Sequence, residues 1–139
     1  MRFLLLSFIC FVSLVTLNSC CCSDEVKSGF DKGFNYGWFA QMGDNYREEG
    51  NYEKAIESYE KAITFDSDDP SAYKGLGEAY LSLGEKAESD NDFQKALDNY
   101  NLSVENYEKA LEKAPEDGDI QTKLQNAKDL VKITSEKVS

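Results

Sequence analysis

Three adjacent cysteines, Cys20, Cys21 and Cys22, are the residues of this 139-residue chain best suited to covalent or metal chemistry. A closed zinc site needs four ligands, yet no further Cys follows these three and the chain has no His at all. A metal is therefore not expected. Neighbouring Cα atoms lie about 3.8 Å apart, below the usual disulfide range of about 4.4 to 6.8 Å, so a bridge between adjacent cysteines would be strained. The lack of histidine also removes the commonest general acid or base near neutral pH. Carboxylates are plentiful, but Asp66, Asp68, Asp69, Asp90, Asp92, Glu116, Asp117 and Asp119 gather where turns between helices are predicted, and capping accounts for them. No glycine-rich phosphate loop or nucleophile elbow occurs, so the chain is read as no enzyme, with no cofactor and no metal. The net charge of −11, from 26 acidic and 15 basic residues, repels polyanions and argues against nucleic acid as a partner.

What remains for sulfur to do depends on the segment before it. Arg2 is followed by a run from Phe3 to Leu17 that is apolar apart from Ser7, Ser13 and Thr16. That length fits the apolar region of a signal peptide and is short for a membrane span. At its end, LNSC, with Leu17, Ser19 and Cys20, resembles the lipobox of bacterial lipoproteins. The resemblance implies that residues 1–19 are a lipoprotein signal peptide and that Cys20 carries the lipid. It also implies a membrane-anchored protein of a bacterial cell envelope, on the periplasmic face or the cell surface. In a eukaryotic cell, cysteines beside an apolar segment would read as palmitoylation sites, again a lipid anchor. Cys21 and Cys22 receive no role.

Beyond the leader the chain repeats itself. At a shift of 34 residues, Phe39, Met42, Gly43, Tyr46 and Gly50 fall on Tyr73, Leu76, Gly77, Tyr80 and Gly84. NYEKAIESYEKAI recurs as NYNLSVENYEKAL, pairing Tyr52, Ala55, Ile56, Tyr59 and Ala62 with Tyr100, Ser103, Val104, Tyr107 and Ala110 at a shift of 48. The difference is an insertion of 14 residues between Gly84 and Tyr100. With Pro115 closing the second unit, these positions resemble the tetratricopeptide repeat, a helix-turn-helix unit of 34 residues. The resemblance implies an all-α array of about two and a half repeats. Its expected parts are a tether and N-terminal extension at 20–35, repeat 1 at 36–69, repeat 2 with its insertion at 70–116, and a capping helix at 117–139.

Apolar residues continue through the insertion at helical spacing, at Phe93, Leu97, Tyr100, Val104, Tyr107 and Leu111. The expectation is a repeat 2 whose two helices are each about two turns longer, with SDND at 89–92 as the new turn and cap. Such a hairpin must pack against neighbours. In the last segment, Ile120, Leu124, Ala127, Val131 and Val138 form an apolar stripe suited to that task. So few repeats are at or below the usual minimum of three, so a partner or self-association as a homo-oligomer is expected. Glycines 29, 33 and 37 and aromatics Phe30, Phe34 and Trp38 recur every four residues, as adjacent stripes of one helix. They are read as a cover for the first repeat, or else as an aromatic docking surface.

The leading functional expectation is a lipid-anchored scaffold or adaptor for protein–protein interaction. Carrying the family's groove positions over gives Ala40, Asp44, Arg47 and Glu48 in repeat 1, and Lys74, Glu78 and Leu81 in repeat 2. Ala40 and Asp44 depart from the Lys and Asn with which some relatives clamp acidic tails, so the groove is expected to be acidic and its partner basic or neutral. The alternative is a lipoprotein that binds a small ligand in an aromatic pocket around Phe34, Trp38 and Phe39.

Overall fold

A computed structural model describes the backbone of residues 24–138 and the side chains of residues 32–138. The expectations for the signal peptide, for Cys20 and for the side chain of Phe30 lie outside those residues. Five helices follow one another: α1 (Asp24–Glu48), α2 (Tyr52–Phe65), α3 (Pro70–Ser89), α4 (Phe93–Lys113) and α5 (Gly118–Val138). No strand occurs among the described residues, and the array is all-α. The chain divides after residue 31 into two units, and the second holds the greater part of α1 and all of α2 to α5.

Three of the eight turn carboxylates, Asp69, Asp92 and Asp117, cap helix N-termini, while Asp68 and Asp119 pair with Lys113 and Lys74. Asp69 Oδ1 accepts the Ser71 amide at 2.8 Å with Pro70 behind it, where a missing N–H costs nothing. Asp92 Oδ1 accepts the Lys95 amide at 3.1 Å, and Asp117 Oδ1 accepts those of Asp119 and Ile120 at 2.9 and 3.1 Å. Asn51 does the same for α2 through the amide of Lys54.

One contact organises the packing: a tyrosine of one helix set against a glycine of the next. The ring of Tyr59 lies between Gly43 of α1 and Gly75 of α3, Tyr107 lies on Gly77, and Tyr100 lies on Gly84. All three tyrosines are buried. A Cβ on any of these glycines would fall within 2.8 Å of a ring carbon, so the missing side chain is what lets the helices approach. Small residues complete the seam: Ala55, Ala62, Ala72, Ala79, Ala96 and Ala110 have no exposed surface. Ser103 satisfies its buried hydroxyl by donating to the Gly77 carbonyl at 2.8 Å.

The 14-residue insertion resolves into one heptad on each arm of the hairpin. Gly84 follows Gly77 by seven residues and Tyr100 precedes Tyr107 by seven, so the lengthened part repeats the same glycine–tyrosine contact. The turn moves with it. Gly50 has a φ of 74°, its amide bonding to the Arg47 carbonyl, while the Asn51 amide bonds to that of Tyr46. Asn91, with a φ of 61°, and Asp92 repeat the arrangement with the carbonyls of Glu88 and Ala87. The match of Gly50 with Gly84 in the sequence is therefore one of letter and not of role. Gly84 sits inside a helix, and Asn91 takes the left-handed place.

α5 packs on α4 with Ile120, Leu124 and Ala127 buried against Tyr107 and Ala110, and Val131 against the Tyr100 cluster. The stripe differs from the expected one at its end. Thr134, a turn beyond Val131, is the last residue buried, and Val138 is exposed.

Candidate functional site

Five of the seven nominated groove residues, Ala40, Asp44 and Arg47 of α1 with Lys74 and Glu78 of α3, line one concavity of about 280 Å³. Tyr59, Ser71 and Gly75 complete its wall. The remaining two lie elsewhere. Glu48 is exposed and outside this lining, while Leu81 turns inward against the Tyr107 and Tyr100 clusters. In the second repeat the extra heptad supplies α4 partners beside Leu81, which packs half-buried against them.

The charges that line the concavity are paired, and two α5 residues outside the lining, Asp119 and Lys123, join them. The Tyr59 hydroxyl donates to Asp44 Oδ1 at 2.7 Å and accepts from Arg47 Nε at 3.3 Å. Arg47 reaches Asp44 at 3.5 Å and Glu78 at 3.4 Å, Lys123 of α5 meets Glu78 at 3.2 Å, and Lys74 pairs with Asp119 of α5. Burial works against the Arg47 charge, but the Tyr59 hydroxyl and the carboxylates of Glu78 and Asp44 outweigh it and raise its pKa. The hydrogen bond from Lys74 holds Asp119 below the usual carboxylate range, and the same bond raises Lys74. Burial pushes the Tyr59 phenol up, and it stays a neutral donor.

This corrects the expectation of an acidic groove. Of the lining residues, Asp44 and Glu78 are matched by Arg47 and Lys74, and beside the lining Asp119 and Lys123 add one charge of each sign. Three participants were not foreseen: the hydroxyl of Tyr59, and Asp119 and Lys123 of the capping helix. For Tyr59 the repeat pattern announces the ring, not where its oxygen points. For the α5 pair only the helical spacing of Asp119 and Lys123, four residues apart, was there to be read.

Phe39 stacks on Phe65 of α2, ring centres 5.6 Å apart and nearly parallel, with Lys61 at 5.9 Å from its centre. Phe34 and Trp38 are 63% and 59% exposed. Among the described residues no group of Cys, His, Asp and Glu is arranged to hold a metal ion.

Comparison with known proteins agrees with this architecture. A family model described as TPR repeat matches residues 43–84, and one described as tetratricopeptide repeat matches residues 70–99. A TPR repeat-containing protein of Methanocaldococcus jannaschii is 43% identical over 63 residues. That match covers 45% of this chain and 11% of the relative. Among solved structures, the first TPR domain of the human RPAP3 protein, determined by NMR, is similar at 19% identity and a TM-score of 0.36 over 73% of this chain and 95% of that one. Residues 43–99 of this chain are therefore similar to tetratricopeptide repeats, and they lie within an all-α helical repeat array.

Proposed function

We propose that the chain is a lipid-anchored scaffold whose concave face, between α1 and α3, docks an extended segment of a protein partner at a bacterial cell envelope. The observation that carries this reading is the convergence of Ala40, Asp44, Arg47, Lys74 and Glu78 on one concavity. Repeats of this type bind protein or peptide partners, and a balanced wall of charge offers both donors and acceptors to a peptide backbone and its polar side chains. The segment it takes is neutral or of mixed sign at the groove. The overall charge of −11 favours the approach of basic partners at long range.

The anchor rests on the LNSC motif alone, and Cys20→Ala is expected to move the protein from the membrane to the soluble fraction. Unchanged fractionation would remove the anchor from the reading. For the groove, a partner captured by crosslinking in native membranes is expected to bind Lys74→Glu at least about tenfold more weakly, with affinity falling as salt rises. Equal binding by the variant would remove the concave face as the docking surface.

A further inference from the structure

A second cavity, of about 370 Å³, lies on the other side of α3, between α2 and α4. On α3 the residues that face it, Tyr73, Leu76 and Tyr80, are set about half a turn from Ser71, Lys74, Gly75 and Glu78, which face the concavity, at 100° per residue. Ile63 of α2 and Leu102 of α4 form its walls. Ile63, Leu76 and Leu102 with the rings of Tyr73 and Tyr80 give it an apolar strip, bordered by Asn106 and by charged residues, and Leu102 is one of the few large apolar side chains among the described residues left substantially exposed. The repeat pattern accounts for Leu76 as core, but not for an open apolar trough beside it.

The rim is charged, and its sign is uneven. Glu60 stands on the α2 edge and Glu105 on the α4 edge, with Lys109 beside it. Lys109 is held by Glu105 at 2.7 Å, while Glu60 has no ion-pair partner among the described residues. Burial raises the pKa of the Tyr80 phenol, and the charges of Glu60 and Glu105, which line the same trough, add to it.

A trough with an apolar strip between two helical walls, and an unpaired carboxylate on its edge, is the complement of one kind of ligand. We infer that this surface docks an amphipathic helix of a partner protein whose apolar stripe is flanked by Lys or Arg, with a cation placed at Glu60. A second copy of this chain is a poor occupant, because two bodies of charge −11 repel one another. The site is separate from the concave face, and the chain would hold two partners, or two segments of one, on opposite sides of α3.

Two fluorescent helical peptides with the same leucine stripe, one flanked by Lys and one by Glu, test this by anisotropy titration against the full chain. The Lys-flanked peptide is expected to bind about tenfold or more tightly than the Glu-flanked one. Leu102→Glu and Glu60→Lys should each weaken it about tenfold, and Glu60→Lys should strengthen the Glu-flanked peptide. Lys74→Glu, on the concave side, should leave the Lys-flanked affinity unchanged, which separates this site from the proposed groove. Both substituted positions on the trough are surface-facing, and unchanged helical circular dichroism checks their folding. Absence of binding by both peptides, equal binding of both, or a loss with Lys74→Glu equal to that with Glu60→Lys overturns the inference. So does sedimentation showing a dimer that Glu60→Lys dissociates, which would make a second copy the occupant.

Discussion

At the scale of single residues, the packing turns on glycines that face tyrosine rings. Gly43 is inside a helix, where Ala is ordinarily better by about 1 kcal/mol, yet a Cβ there would lie 2.5 Å from a ring carbon of buried Tyr59. The ring cannot retreat, since Gly75 is on its other side. Overpacking then outweighs propensity, and Gly43→Ala is expected to lose about 1 to 2 kcal/mol in urea unfolding. Gly33 and Gly37 have nothing within 4 Å of an added Cβ, so Ala at either should stabilise by about 0.5 to 1 kcal/mol. A gain at Gly43 as large as that at Gly37 would show that the close approach is not what holds α1 to α2. The sequence pattern showed where small and large residues alternate. It could not show that the Tyr59 oxygen ties Asp44 to Arg47, because hydroxyl direction depends on which helix arrives opposite. Tyr59→Phe removes that donor and acceptor together, and a loss of about 1 kcal/mol is expected.

At the scale of elements, the long hairpin is held by α5 through a small cluster near its tip. Lys137 pairs with Glu88, and the Tyr100 hydroxyl donates to the same carboxylate at 2.9 Å. The hydrogen bond from Lys137, then that from Tyr100, holds Glu88 below the usual carboxylate range. The folded protein thus binds this proton less tightly than the unfolded chain does. The contribution is complete above the ordinary Glu pKa and is lost as pH falls through the lowered one. Hydrogen exchange of the last turns of α5 should therefore speed up, beyond its intrinsic change, between about pH 5 and pH 3. Glu88→Gln should exchange faster at neutral pH and lose that added pH response. An acid response that persists in Glu88→Gln would place the responsible group elsewhere. The longer helices, the turn near residues 89 to 92 and the packing of α5 were legible from the apolar spacing and the cap residues. The division into one heptad per arm was not, because a shift of 48 gives the total length added and not where the turn falls within it. The left-handed Asn91 marks that place, and Asn tolerates such a φ without announcing it as Gly does.

At the scale of the whole molecule, function depends on which surfaces the array leaves open. The repeat was legible in the spacing of Gly, Tyr and Ala, and the all-α class followed from the family that this spacing resembles. The balance of charge in the concavity was present in Asp44, Arg47, Lys74 and Glu78, but that Lys123 and Asp119 reach those charges was not legible, because they arrive from a helix outside the matched repeats. The apolar trough between α2 and α4 escaped for a related reason: Ile63, Tyr80 and Leu102 come from three helices, and no single periodicity joins them. Whether a protein partner sits on the face between α1 and α3 can be read by photo-crosslinking in native membranes. A photoreactive side chain at Ser71, exposed and lining the concavity, is compared with one at Asn126, exposed on α5. The expected result is a discrete protein adduct from Ser71 that disappears with Arg47→Glu, and none from Asn126. No adduct from Ser71, or the same adducts from both positions, would contradict it.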